Sequence, residues 1–121
     1  MPNLKEWQTI VHKGARDRGW YDGELGEKTE LRLASLLCLI HSEVSEALEE
    51  IRRGKLDYYY PYAEHLVTSD TKPLGLPTEL ADIIIRVLDM AEWLGIDMEE
   101  AVRMKNEYNE TRGYKHGGKK L

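Results

Sequence analysis

Apolar residues recur along this chain at steps of three and four in four separate stretches, which is the period of a helix with one buried face. In the first stretch Leu4, Trp7, Ile10, Val11 and Ala15 share one stripe. That spacing predicts a helix from about Leu4 to Arg18, with Trp7 in the core and the Gly-rich turn RGWYDGELG behind it. The second stretch predicts a helix from about Lys28 to Arg53, stopped by Gly54. The third begins near Pro77 and Thr78 and runs to about Leu94, where Gly95 ends it. The fourth starts at Asp97, an N-cap residue with Glu100 three positions on, and continues to about Thr111. No stretch alternates with period two. The expected fold is therefore all-α, a four-helix bundle-like protomer within a single domain spanning residues 1–121.

The second and third helices carry apolar residues on nearly every side. Leu31, Leu33, Ala34, Leu36, Leu37, Leu39 and Ile40 surround one of them, and Leu80, Ala81, Ile83, Ile84, Ile85, Val87 and Leu88 the other. A helix apolar all round is buried all round. Two peripheral helices in a chain of 121 residues hardly cover both, so a homo-oligomer whose subunits share this surface is expected. Between Gly54 and Leu76 lies a connector of roughly two dozen residues, long for a compact helical domain. It contains Tyr58, Tyr59, Tyr60 and Tyr62 and reads either as a surface loop with one short helix or as a substrate lid or subunit contact, the length favouring the functional role.

Two acidic pairs interrupt these apolar seams. Glu43 and Glu46 lie in LIHSEVSEALEEIRRG, and Glu79 and Asp82 in LPTELADIIIRVLDMAEWLG. The i, i+3 spacing puts both carboxylates of a pair on one helix face. The second helix reads Leu36, Leu39, Glu43, Glu46, Glu50 along its core-facing stripe, apolar first and acidic later. The third reads Glu79, Asp82, Arg86, Asp89, Trp93, in the opposite order. Antiparallel packing brings all four acids into one cluster. Such a cluster cannot stay ionised without cations, and oxygen-only ligands suit Mg²⁺, with Mn²⁺ an alternative. A lone pair of this kind is commonly a solvated surface face, with Arg52, Arg53 and Arg86 as its partners. Two pairs set in apolar seams favour the metal.

The remaining chemistry is basic. The fourth helix carries Met98, Val102, Lys105, Asn109 and Arg112 on one stripe, followed by a basic tail over residues 110–121 with Lys115, His116 and Lys119 beside a Gly pair. Cations next to closely approachable backbone suit an oligophosphate; taken alone, the tail reads equally as a frayed terminus. Trp20, in a turn, is placed to touch a ligand and to stack on a base, and His12 and Lys13 lie near it in sequence. A net charge of −5 argues against a nucleic-acid binder. The N-terminus MPNLKEWQ has no apolar signal region and no run reaches membrane-spanning length, so a cytoplasmic protein is expected. Cys38, the single cysteine, reads as a buried small hydrophobe.

Four pieces in this order, HKGARDRGWYDG, LIHSEVSEALEEIRRG, ELADIIIRVLDMAEWLGID and KNEYNETRGYKHGGKK, cover nearly the whole chain. In them the chain resembles the MazG-like nucleotide pyrophosphohydrolases of the all-α NTP pyrophosphohydrolase superfamily. The resemblance implies a Mg²⁺-dependent enzyme that hydrolyses a nucleoside triphosphate to a monophosphate and pyrophosphate in nucleotide-pool house-cleaning. It also implies a dimer or tetramer with active sites at subunit contacts. By motif position Glu43, Glu46, Glu79 and Asp82 are the implied metal ligands, with Glu43 and Glu46 also catalytic. Lys105, Asn109, Arg112, Lys115, His116 and Lys119 are the implied phosphate or sugar contacts. Ser42 stands where some relatives carry a further glutamate proposed as general base, so a motif carboxylate or the metal must activate water here. Two other readings fit the same residues. One is a phosphohydrolase acting on a phosphoribosyl-nucleotide or a diphosphate, and the other a non-catalytic helical module that binds nucleotide or protein.

Overall fold

A computed structural model describes residues 1–59 and 72–114, and its regular elements are helical. Helix α1 spans Leu4–Asp17, α2 Glu30–Arg52, α3 Leu76–Leu94 and α4 Met98–Glu110, with a 3-10 turn at Gly23–Gly26. The all-α expectation therefore holds, with boundaries within two or three residues of those read from the pattern. Each helix starts where a local signal tells it to. Asn3 and Glu6 form a reciprocal capping box at α1, and Thr29 accepts from the Arg32 N–H at α2. Asp97 accepts from the Glu100 N–H at α4, satisfying a donor that no earlier turn can serve. Helix α3 begins after Gly75, whose φ of 113° and 2.1 Å gap from a built Cβ to the Asp57 carbonyl oxygen admit no side chain. It ends on Gly95 in the left-handed region.

Helix α3 is the centre of the protomer, packing against both α1 and α2, while α4 lies on α1. The end of α2 meets the start of α3, where the Leu76 N–H donates to the Lys55 carbonyl and Tyr59 pairs with Leu74 through an isolated antiparallel bridge. These two helices are therefore antiparallel, as the opposed stripes require. The rest of the long connector, with Tyr60 and Tyr62, lies outside the described residues.

Two expectations are corrected. The buried face of α1 is Gln8, His12 and Ala15, not Trp7 and Ile10, both of which are exposed. Polar partners supplied by α3 and the α3–α4 turn select that face. Cys38 is exposed in the single chain. Helices α2 and α3 leave Leu37, Val44, Leu48, Ile51, Leu80 and Ile84 exposed in the single chain, the apolar surface for which a shared subunit contact is expected. The buried apolar side chains among the described residues are Ala15, Ala47, Leu88 and Ala91. No described helix is long and apolar enough to cross a membrane.

Candidate metal and nucleotide cleft

Antiparallel packing of α2 on α3 sets Glu43 against Glu79 and Asp82. Ligand atoms of these three carboxylates lie within 4.8 Å of one another. Glu43 and Glu79 are buried, Asp82 is half-buried and Glu46 is exposed at the rim. The three-residue cluster omits Glu46, but its carboxyl neighbours theirs. A hydrogen bond with Glu43 and then the Glu43 charge raise the Glu46 pKa. Burial, and then the charges of Glu46, Asp82 and Glu43, raise that of Glu79. Burial followed by the Glu43 charge raises that of Asp82, against the pull of Lys72 and Arg86.

One cation meets the cluster directly. Arg86, one turn beyond Asp82 on α3, donates from Nε to Glu43 Oε1 at 2.7 Å. This is the pairing that the surface-face reading of the acids requires, and it accounts for one oxygen of one carboxylate. Glu43 Oε2 and Glu79 Oε2 are buried with no hydrogen-bond partner. An orphaned buried acceptor costs about 1–3 kcal/mol, more when charged, so the seam as it stands is unsatisfied. A hard divalent cation fits that need, because the converging donors are all carboxylate oxygens. Glu50 Oε2 is also orphaned, but Glu50 sits one turn further along α2, beside Arg53 at 3.7 Å, and is outside the cluster.

The acids open into a cleft of about 410 Å³, within the range of small-molecule sites. Glu43, Glu46, Asp82 and Arg86 line one part of it, and Trp20, Tyr21, Arg32 and Asp89 another. Asp89 ties the second part together. His12 Nδ1 lies 2.7 Å from Asp89 Oδ1, and the Tyr21 hydroxyl donates to Oδ2 at 2.7 Å. An ionised carboxylate only accepts, so the imidazole carries its proton on Nδ1. Burial, and then the bond to Asp89, push the Tyr21 phenol far above its usual range, so it stays protonated. Arg32 fastens the turn that carries Trp20, donating to the carbonyls of Trp20 and Leu25 and lying over the Tyr21 ring. The Trp20 N–H is held by the Ala15 carbonyl, while 55% of the residue stays exposed. Its backbone is clamped and its ring is open to a ligand.

The structure thus brings Glu43, Glu46, Glu79, Asp82 and Trp20 together. Lys105, Asn109 and Arg112 do not join them. Lys105 and Asn109 lie on α4, which packs on α1, and Arg112 just beyond its C-cap; none of the three lines the cleft, and Lys105 and Arg112 flank the Tyr108 ring instead. Lys115, His116 and Lys119 lie outside the described residues. Sequence reasoning missed Arg18, Arg32 and Lys72 as cleft cations. It placed Arg86 and Asp89 on the right stripe, Arg86 only as a partner of surface acids and Asp89 without a role, and for Lys72 no pattern in the chain offered a signal.

No protein-family model and no solved structure matches the chain. Over 38 residues it is 45% identical to a dATP/dGTP diphosphohydrolase of Cyanophage S-2L, a similarity that takes in 31% of this chain and 36% of the phage protein.

Proposed function

We propose that this protein is a nucleotide pyrophosphohydrolase of the MazG-like kind. It cleaves a nucleoside triphosphate between the α and β phosphates, giving a monophosphate and pyrophosphate, in the service of nucleotide-pool house-cleaning. The observation that carries the reading is the pair of buried, unpartnered oxygens on Glu43 and Glu79 beside Asp82, where Glu43 and Asp82 line a cleft that also presents Trp20. The partial similarity to a phage dATP/dGTP diphosphohydrolase supports the nucleotide substrate.

Glu43, Glu79 and Asp82 would hold Mg²⁺ or Mn²⁺, with Glu46 completing the set from the rim. Such an ion supplies Lewis-acid polarisation of the phosphoanhydride and of the attacking water, and neutralises charge on the leaving pyrophosphate. Glu46 is the most accessible of the four acids and has a raised pKa, which suits it to take a proton from water where Ser42 offers no carboxylate. Trp20 gives the base a stacking face, and Asp89, held by His12 and Tyr21, offers its remaining lone pairs to sugar or base donors. The uncovered apolar stripe of α2 supports assembly into a homodimer or homotetramer. Lys105, Asn109 and Arg112, outside their own cleft, would serve the cleft of a partner.

The deciding experiment is a panel of ordinary and modified triphosphates with Mg²⁺, scored for pyrophosphate and monophosphate. Glu43→Gln and Asp82→Asn should each cost at least about 100-fold in kcat with helix content intact by circular dichroism. Full activity in either variant, or release of orthophosphate only, would overturn the assignment.

A further inference from the structure

The cations that line this cleft are not equally available. Arg32 spends its guanidinium on the carbonyls of Trp20 and Leu25. Arg18 lies over Gly14 of α1 on the exposed surface, and among the described residues no hydrogen bond or ion pair orients its guanidinium. Lys72 offers a point charge rather than a planar fork. Arg86 differs from all three. It stands beside the acids, 37% of its side chain is exposed, and its bond to Glu43 uses Nε. Among the described residues its two terminal amino groups make no hydrogen bond.

The geometry of that bond also matters. A guanidinium serving only as counter-ion to Glu43 gains most by laying its fork across both carboxylate oxygens. Arg86 engages Oε1 alone and leaves the buried Oε2 unpartnered. Glu43 is thereby divided, one oxygen for the guanidinium and one for a cation.

We propose that Arg86 stays on Glu43 and binds the substrate's phosphate chain with its terminal amino groups, as a substrate-binding residue of the hydrolase proposed above, on which this inference rests. The physical need is plain. A triphosphate brought next to four carboxylates meets strong repulsion, and cations fixed at the acids offset it where α4 does not reach. A guanidinium oriented by a carboxylate loses little freedom on meeting a phosphate, and its fork matches two phosphate oxygens.

The test uses the full chain and three binding measurements. The probes are Mn²⁺ alone followed by electron paramagnetic resonance, the α,β-methylene analogue of the best triphosphate substrate, and the corresponding nucleoside. Arg86→Met should lose about 10- to 100-fold in affinity for the analogue. Nucleoside and Mn²⁺ affinities should stay within about threefold. Arg86→Lys, which keeps the charge beside Glu43 and protects the fold, should recover only part of the loss. Unchanged analogue affinity in Arg86→Met would reduce Arg86 to a counter-ion and overturn the proposal. So would a parallel loss of Mn²⁺, which would mean that Arg86 acts through Glu43. A native chain that binds neither Mn²⁺ nor the analogue would overturn the hydrolase reading itself.

Discussion

Gln8 is the largest fully buried side chain among the described residues, at 1% exposure, and both ends of its amide are used. Its Nε2 donates to the Ile96 carbonyl at 2.7 Å, and its Oε1 accepts from the Met98 N–H at 2.8 Å. One side chain thus fixes α1 to the turn between α3 and α4, and sets the height at which His12, one turn on, meets Asp89. Gln8→Ala should destabilise the protein by roughly 2–3 kcal/mol, because it removes a buried amide and leaves the Ile96 carbonyl and the Met98 N–H without their partner. Urea unfolding would show it as a lower midpoint at unchanged slope. A loss below about 0.5 kcal/mol would mean that water replaces the amide. The sequence hid this residue: a glutamine between Trp7 and Thr9 reads as surface, and only distant partners make it core. The same competition displaced Trp7 and Ile10, since a stripe chosen by hydropathy alone counts no hydrogen bonds.

At the scale of elements, the α2–α3 seam was legible because helical period and opposed stripe order need only antiparallel packing to converge. Its electrostatics make a prediction. Glu46, Glu79 and Asp82 have raised pKa values in the fold, so the folded protein binds their protons more tightly than the unfolded chain. Their contribution to stability is then full below the ordinary carboxylate range and is lost as pH rises through the raised values. Glu79→Gln removes one of these groups. Without divalent cation its stability relative to the native sequence should therefore improve as pH rises from the ordinary carboxylate range through the raised values, and then level off. Mn²⁺ at a hundred times its Kd should add about 2.7 kcal/mol to the native protein near neutrality, and clearly less to the variant. Chemical denaturation with and without Mn²⁺ at each pH measures both. A pH-independent difference would show that the acids do not crowd one another.

At the scale of the molecule, Leu88 and the alanines Ala15, Ala47 and Ala91 make up the buried apolar set of the described residues. That is little to set against the entropy of ordering a chain of this length. Leu37, Val44, Leu48 and Ile51 follow one another at seven, four and three positions along α2, each about half exposed. A second copy of the chain covering this stripe would bury several large aliphatic side chains at about 1.5–3 kcal/mol each. Light scattering of the native protein at low micromolar concentration should give a dimer or tetramer, and Leu48→Lys should shift it toward monomer with a lower melting temperature. A monomeric native protein would overturn the assembly. The sequence by itself determined the helices, their caps and the two acidic pairs, because each depends on neighbours within one or two turns. Only the tertiary structure decided that Gln8 and His12 face inward and Trp7 outward, and that Arg86 takes one oxygen of Glu43 while leaving the other orphaned. It also decided that the basic stripe of α4 stands apart from its own cleft. Those outcomes depend on which distant groups meet and on how many hydrogen bonds each meeting satisfies, and periodicity along a chain carries no record of either.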